Sequence, residues 1–137
     1  MKRLALALAL SIALAPAIAL AQARTQFPST VMLTDATTTS SSANFKPATG
    51  VRTFQAYGAT SSGAGAATIV IEVSNIEAAV NSTNVDWITA GTITLTLATT
   101  RSSDGFTMDA PWRNVRARVT AISGTGAAVS VVMGNAQ

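Results

Sequence analysis

The chain of 137 residues contains no cysteine and no histidine. The first absence removes any disulfide framework and any thiol chemistry, and leaves the redox compartment open. The second removes the commonest general base and the commonest transition-metal ligand together, so an enzyme is not expected. Charged residues make up only 11% and aromatic residues only 5%. The formal net charge of +3 is weaker still than it looks, because Lys2 and Arg3 stand in the first three residues. Without residues 1–23, seven basic residues face six acidic ones, and no polybasic run remains to bind nucleic acid by counterion release.

What the chain has instead is Ala, Thr, Ser and Gly in quantity. Its length suits one domain with one core. Thr is favoured in strands and solvates its hydroxyl, so the composition points to a thin β-sandwich with Thr-rich outer faces rather than a helical bundle. Residues 1–23 form an apolar leader: Lys2 and Arg3, an apolar run from Leu4 to Leu20 broken by Pro16, and the small-residue spacings of Ala19, Ala21 and Ala23. Those are the three regions of a secretory signal peptide, with cleavage after Ala21 or Ala23. The run is short for a membrane span, so contact with a membrane is expected only through an uncleaved leader.

Residues 24–50 read as an extended arm around Phe27-Pro28, a first strand in which Val31 and Leu33 alternate with Met32 and Thr34, and a polar loop over Thr37 to Ser42. Residues 51–137 read as the body of the sandwich. Phe54 and Ala56 share one face of a strand over Val51 to Gly58, with Gln55 and Tyr57 on the other. Ala59 to Ala66 is rich enough in glycine and serine to serve as a hairpin loop. Thr68 to Ser74 follows with Ile69, Ile71 and Val73 on one side, and Val70 beside Glu72 on the other. Asn75 to Ala90 reads as a long loop that includes the sequon Asn81-Ser82-Thr83, and Trp87 returns the chain to the core as an apolar cap whose N–H needs a partner.

Gly91 is expected to open a turn before a strand with Ile93, Leu95 and Leu97 inward and Thr92, Thr94 and Thr96 outward. Asp104-Gly105 is a reversal signal, and Phe106 to Asp109 fits either a short strand or an extended loop. Ala110 to Gly134 is the stretch on which the rest is organised. Val115, Ala117, Val119 and Ala121 alternate with Arg116, Arg118 and Thr120, Ser123 to Gly126 permits a reversal, and Val129, Val131 and Met133 return. Together these runs predict a β-hairpin.

Three segments, Thr53 to Asn75, Trp87 to Phe106 and Ala110 to Gly134, together resemble a family of small tailed-bacteriophage virion proteins. They share an aromatic strand, a Gly/Ala/Ser loop, a Ser-Asn strand end, a Trp-led strand and an Ala-Pro-Trp strand running into Gly-Thr-Gly. The resemblance implies an all-β fold, a single antiparallel, jelly-roll-like β-sandwich after the leader. It also implies a non-enzymatic head decoration or cement protein that bridges neighbouring shell subunits, with the major capsid protein or another virion protein and its own copies as partners. No catalytic residue, cofactor, metal ligand or small-molecule substrate comes with it.

The candidate contacts are Arg116 and Arg118 as polar groups and Trp112 and Phe27 as apolar anchors. Two arginines on an outer strand face also serve as plain solvation or edge protection. The two Trp and Tyr57 are assigned to core or interface packing rather than to a sugar platform. Asp35, Asp86, Asp104 and Asp109 stand singly with no calcium-loop spacing. The leader supplies the alternative function, an exported periplasmic or surface β-sandwich binding glycan or protein, because phage head proteins assemble in the cytoplasm.

Overall fold

A computed structural model describes residues 29–47, 50–77, 86–109 and 111–135. The leader, Phe27 and the Asn81 sequon lie outside the described residues. Eight strands follow one another: β1 Ser29–Ala36, β2 Ser40–Ser41, β3 Val51–Ala59, β4 Ser62–Ser74, β5 Ile88–Leu97, β6 Ser102–Asp109, β7 Asn114–Thr125 and β8 Ala128–Asn135. They form two four-stranded antiparallel sheets, ordered β1-β8-β3-β6 and β2-β7-β4-β5. β1 pairs with β8, β2 with β7, β3 with β6 and β4 with β5. That is one long hairpin, tipped between β4 and β5, rolled so that its pairs fall alternately into two sheets. The arrangement is a jelly roll.

This order corrects the expected hairpin over Ala110 to Gly134. β7 pairs with β4 and β2, β8 with β1 and β3, and the two strands lie in different sheets. The turn is where the sequence places it, with Gly124 at φ 112° and Gly126 at φ 61°. It carries the chain across the sandwich instead of back along the same sheet. The physical reason is that alternation states which face is buried, and both runs bury theirs in one shared interior; it is silent on which strand lies beside which. Ala59 to Ala66 is likewise no hairpin loop. Thr60 and Ser61 cross between the sheets, and β4 already begins at Ser62.

Two further expected turns lie inside strands. Asp104 and Gly105 pair with Ala56 and Gln55 in the middle of β6, so Phe106 to Asp109 is strand and the reversal falls at Ala98 to Arg101. Gly91 lies within β5 opposite Ile71. Ring carbons of Phe106, from the other sheet, occupy the space a Cβ would take there. Glycine is used at that point for close approach, not for reversal.

The core lies between the inner faces. Ile69, Ile71 and Val73 of β4, Ile93, Leu95 and Leu97 of β5, and Val115, Ala117 and Val119 of β7 meet Phe54 and Ala56 of β3 and Val129, Val131 and Met133 of β8. Each large apolar side chain so buried stabilises the fold by about 1.5–3 kcal/mol against leaving it exposed. β1 adds Met32, with Leu33 and Ala36 packed against the cluster, while Val31 is exposed. One inward residue was misassigned. In β7 the pairing with β4 steps from Ile69↔Val119 to Thr68↔Ala121, so Thr120 is an extra residue. The bulge reverses the alternation beyond it, leaving Ala121 exposed and turning Ile122 onto the core.

Candidate functional site

The outer face of the β2-β7-β4-β5 sheet carries a charged cluster at its centre. Strand alternation puts Glu72 of β4 and Arg116 and Arg118 of β7 outward, and the pairing sets Glu72 opposite Arg116 and Val70 opposite Arg118. Arg116 Nε donates to Glu72 Oε2 at 2.6 Å; Arg118 Nε and Nη2 donate to Glu72 Oε1 at 3.0 and 2.6 Å. Glu72 is only 3% exposed although it lies on an outer face. Trp87 is buried outside the core cluster, where its ring lies 4.3 Å from the Arg116 guanidinium carbon. Its Nε1 has no hydrogen-bond partner among the described residues. The expected apolar cap is thus present, but it covers an arginine rather than the apolar interior.

Burial pushes the Glu72 carboxyl up. Hydrogen bonds from Arg118 and Arg116, and then their charges, outweigh burial and hold it below its ordinary value of 4.5. The hydrogen bond to Glu72 raises the Arg118 guanidinium in turn, against its own burial. Two guanidinium groups share one carboxylate, so the cluster keeps a net charge of +1. Arg116 contributes little of this to the surface, its side chain being 12% exposed, whereas that of Arg118 is 30% exposed. Beside Arg118 lies an open depression of 360 Å³ lined by Thr39, Ser40, Ser41, Val119 and Thr120. The Ser40 hydroxyl is buried and has no hydrogen-bond partner among the described residues. A cation edged with hydroxyls can receive a carboxylate or carbonyl from a docking protein.

The other sequence candidates lie apart from this cluster. Trp112 is half-buried against the core, so much of its ring is already covered within the chain. Arg113, just ahead of β7, is exposed and pairs with the exposed Glu77 at 2.5 Å, an ion pair worth about 0–1 kcal/mol. Phe27 is outside the described residues. Among the described residues no three acidic side chains come together in a way that could hold a metal ion.

No family model, curated protein or solved structure matches this chain.

Sequence reasoning found Arg116 and Arg118 and missed the residue that joins them. A single glutamate in the apolar run Thr68 to Ser74, together with an Arg-x-Arg spacing in another strand, is the signal that could have found it. One carboxylate in mid-sheet needs a cation on the neighbouring strand. Arg52 was missed as well. It lies on the inner face of β3 in line with Phe54 and Ala56 and is 2% exposed.

Proposed function

We propose that this chain is a non-enzymatic structural protein of a tailed-bacteriophage virion, decorating or cementing the shell by binding neighbouring shell subunits. The observation that carries the reading is the strand order β1-β8-β3-β6 and β2-β7-β4-β5, the jelly roll that viral shells use repeatedly. Each of the three segments that resemble virion proteins spans two consecutive strands of the chain, one from each sheet. Thr53 to Asn75 covers most of β3 and all of β4, Trp87 to Phe106 covers β5 and the first part of β6, and Ala110 to Gly134 covers β7 and nearly all of β8.

Contact with the shell runs through the outer face that bears Arg118, which reaches an acidic side chain of the partner, while Arg116 and Glu72 hold it in place. Copies of the chain meet at the sheet edges. Val31 on the edge strand β1 and Ile88 on the edge strand β5 are two of the large apolar side chains left exposed.

The test adds purified protein to particles lacking it and separates bound from free by sedimentation. Wild-type protein is expected in the pellet at a fixed ratio to shell subunits, and Arg118→Gln at least about tenfold weaker in affinity. Protein that stays in the supernatant with every particle type would refute the assignment.

A further inference from the structure

The opposite face of the molecule holds a second site that the shell-binding reading does not use. At one end of the β1-β8-β3-β6 sheet, Asp35, Ser130 and Tyr57 stand on three adjacent strands, and Arg101 leads into the fourth. Tyr57 pairs directly with Ser130. These side chains, with Ser61 from the β3–β4 crossing, line a cavity of 280 Å³. That is just below the range of about 300–1,000 Å³ typical of drug-sized ligands, so it admits one small unit.

The polar groups are held in place but not used up. The Arg101 guanidinium carbon lies 5.0 Å from the Tyr57 ring centroid. This cation–π contact holds the guanidinium near the ring without using its N–H groups. No carboxylate of the described residues pairs with it. Across the cavity, Asp35 is set by two hydrogen bonds to the buried Ser130: its N–H donates to Oγ at 2.9 Å, and that hydroxyl donates to Asp35 Oδ1 at 3.2 Å. Asp35 holds φ at 44°, a left-handed conformation rare outside glycine and asparagine. This fixes a carboxylate whose second oxygen remains open.

The cavity therefore offers an unpaired cation at one end and an unpaired carboxylate at the other. We infer that it binds a sugar acid, a hexuronate unit whose carboxylate meets Arg101 and whose hydroxyls donate to Asp35. A carboxylate on guanidinium makes two parallel charge-assisted hydrogen bonds, and a polyol supplies the donors that a fixed aspartate needs. A neutral sugar would leave the cation unmet. A simple anion would leave Asp35 unmet and repelled.

The experiment is titration calorimetry with ligand-observed NMR on the full chain, using galacturonic acid, its trimer and neutral galactose as probes. Saturable binding of galacturonate is expected, with galactose at least about tenfold weaker and Arg101→Gln losing about tenfold or more in affinity. Asp35→Asn, which keeps a residue tolerant of the left-handed conformation, should lose severalfold. No binding of either uronate, equal binding of galactose, or unchanged affinity in Arg101→Gln would each overturn the assignment. Arg101 is exposed in a turn, so its variant should keep the fold. None of these outcomes depends on particle binding, which uses the other sheet.

Discussion

Glu72 stands directly opposite Arg116 on the neighbouring strand and also binds Arg118 two residues further along, so one buried carboxylate sets the position of both arginines. Replacing it by glutamine removes the carboxylate that both guanidinium groups share. Breaking a buried pair costs about 3–5 kcal/mol, and the partial exposure of Arg118 reduces that. Glu72→Gln is expected to lose about 2–3 kcal/mol, read as a lower urea midpoint at unchanged slope. A loss below about 0.5 kcal/mol, within the range of an ordinary surface change, would contradict a structural role for the cluster.

The same carboxylate imposes a pH dependence of known sign. Its folded pKa lies below the ordinary 4.5, so the unfolded chain binds the proton more readily than the folded one. The contribution is fully present above about pH 4.5 and is lost as pH falls through the lower folded value. The urea midpoint should drop on acidification below that point, and less so in Glu72→Gln. An equal drop in both proteins would assign the acid sensitivity to other groups.

Arg52 makes the opposite prediction. Its guanidinium is buried on the inner face of β3 and donates from Nη1 to the carbonyl of Val51 at 3.1 Å, while Nε and Nη2 have no partner among the described residues. A buried guanidinium with two N–H positions unmet carries an uncompensated desolvation cost. Arg52→Met, similar in length and apolar, should therefore stabilise the protein by about 1–3 kcal/mol. A lower midpoint in Arg52→Met would show that the guanidinium is stabilising where it stands.

Across the sandwich between the edge strands β5 and β6, Gly91 lies beneath the Phe106 ring, which itself sits 5.4 Å from that of Phe54. A methyl at Gly91 must displace the ring. Gly91→Ala is expected to cost about 1–3 kcal/mol, and less when Phe106 is also changed to Leu. Additive costs in the double mutant would mean that the two positions do not touch.

The inner faces of β3 from Phe54, of the second half of β4, of β5, of β7 as far as Val119, and of β8 were legible as period-two runs, because a strand half-buried in a sandwich must alternate. Their neighbours were not legible. Val119 and Val131 are both inward, yet the first sits beside Ile69 in one sheet and the second beside Ala56 in the other. Backbone contacts in NMR spectra distinguish these arrangements. Contacts of Ile71 with Ala117 and of Ala56 with Val131 are expected, whereas a β7–β8 hairpin would place Val119 beside Ser130 and contradict the roll.

Local signals failed where tertiary packing overrode them. Asp104-Gly105 has turn chemistry but lies in mid-strand, where a side chain at Gly105 would strike the Phe54 carbonyl. The bulge at Thr120 carries no glycine to announce it, and it moves Ala121 and Ile122 to faces opposite to those alternation assigns. For the site, the arginines stood out by spacing, whereas Glu72 was concealed within an apolar run. The Asp35, Ser130, Tyr57 and Arg101 group joins residues up to 95 positions apart and exists only once the strands are ordered.

The proposed role in a virion is decided by where the native protein is found. The most direct measurement is the intact mass of the native protein in sedimented particles, periplasm and membranes of producing cells. The protein is expected in the particle fraction, in a constant ratio to shell subunits. A species cleaved near Ala21 or Ala23 found in the periplasm or medium, and in no particle, would contradict it and make the chain an exported binding domain.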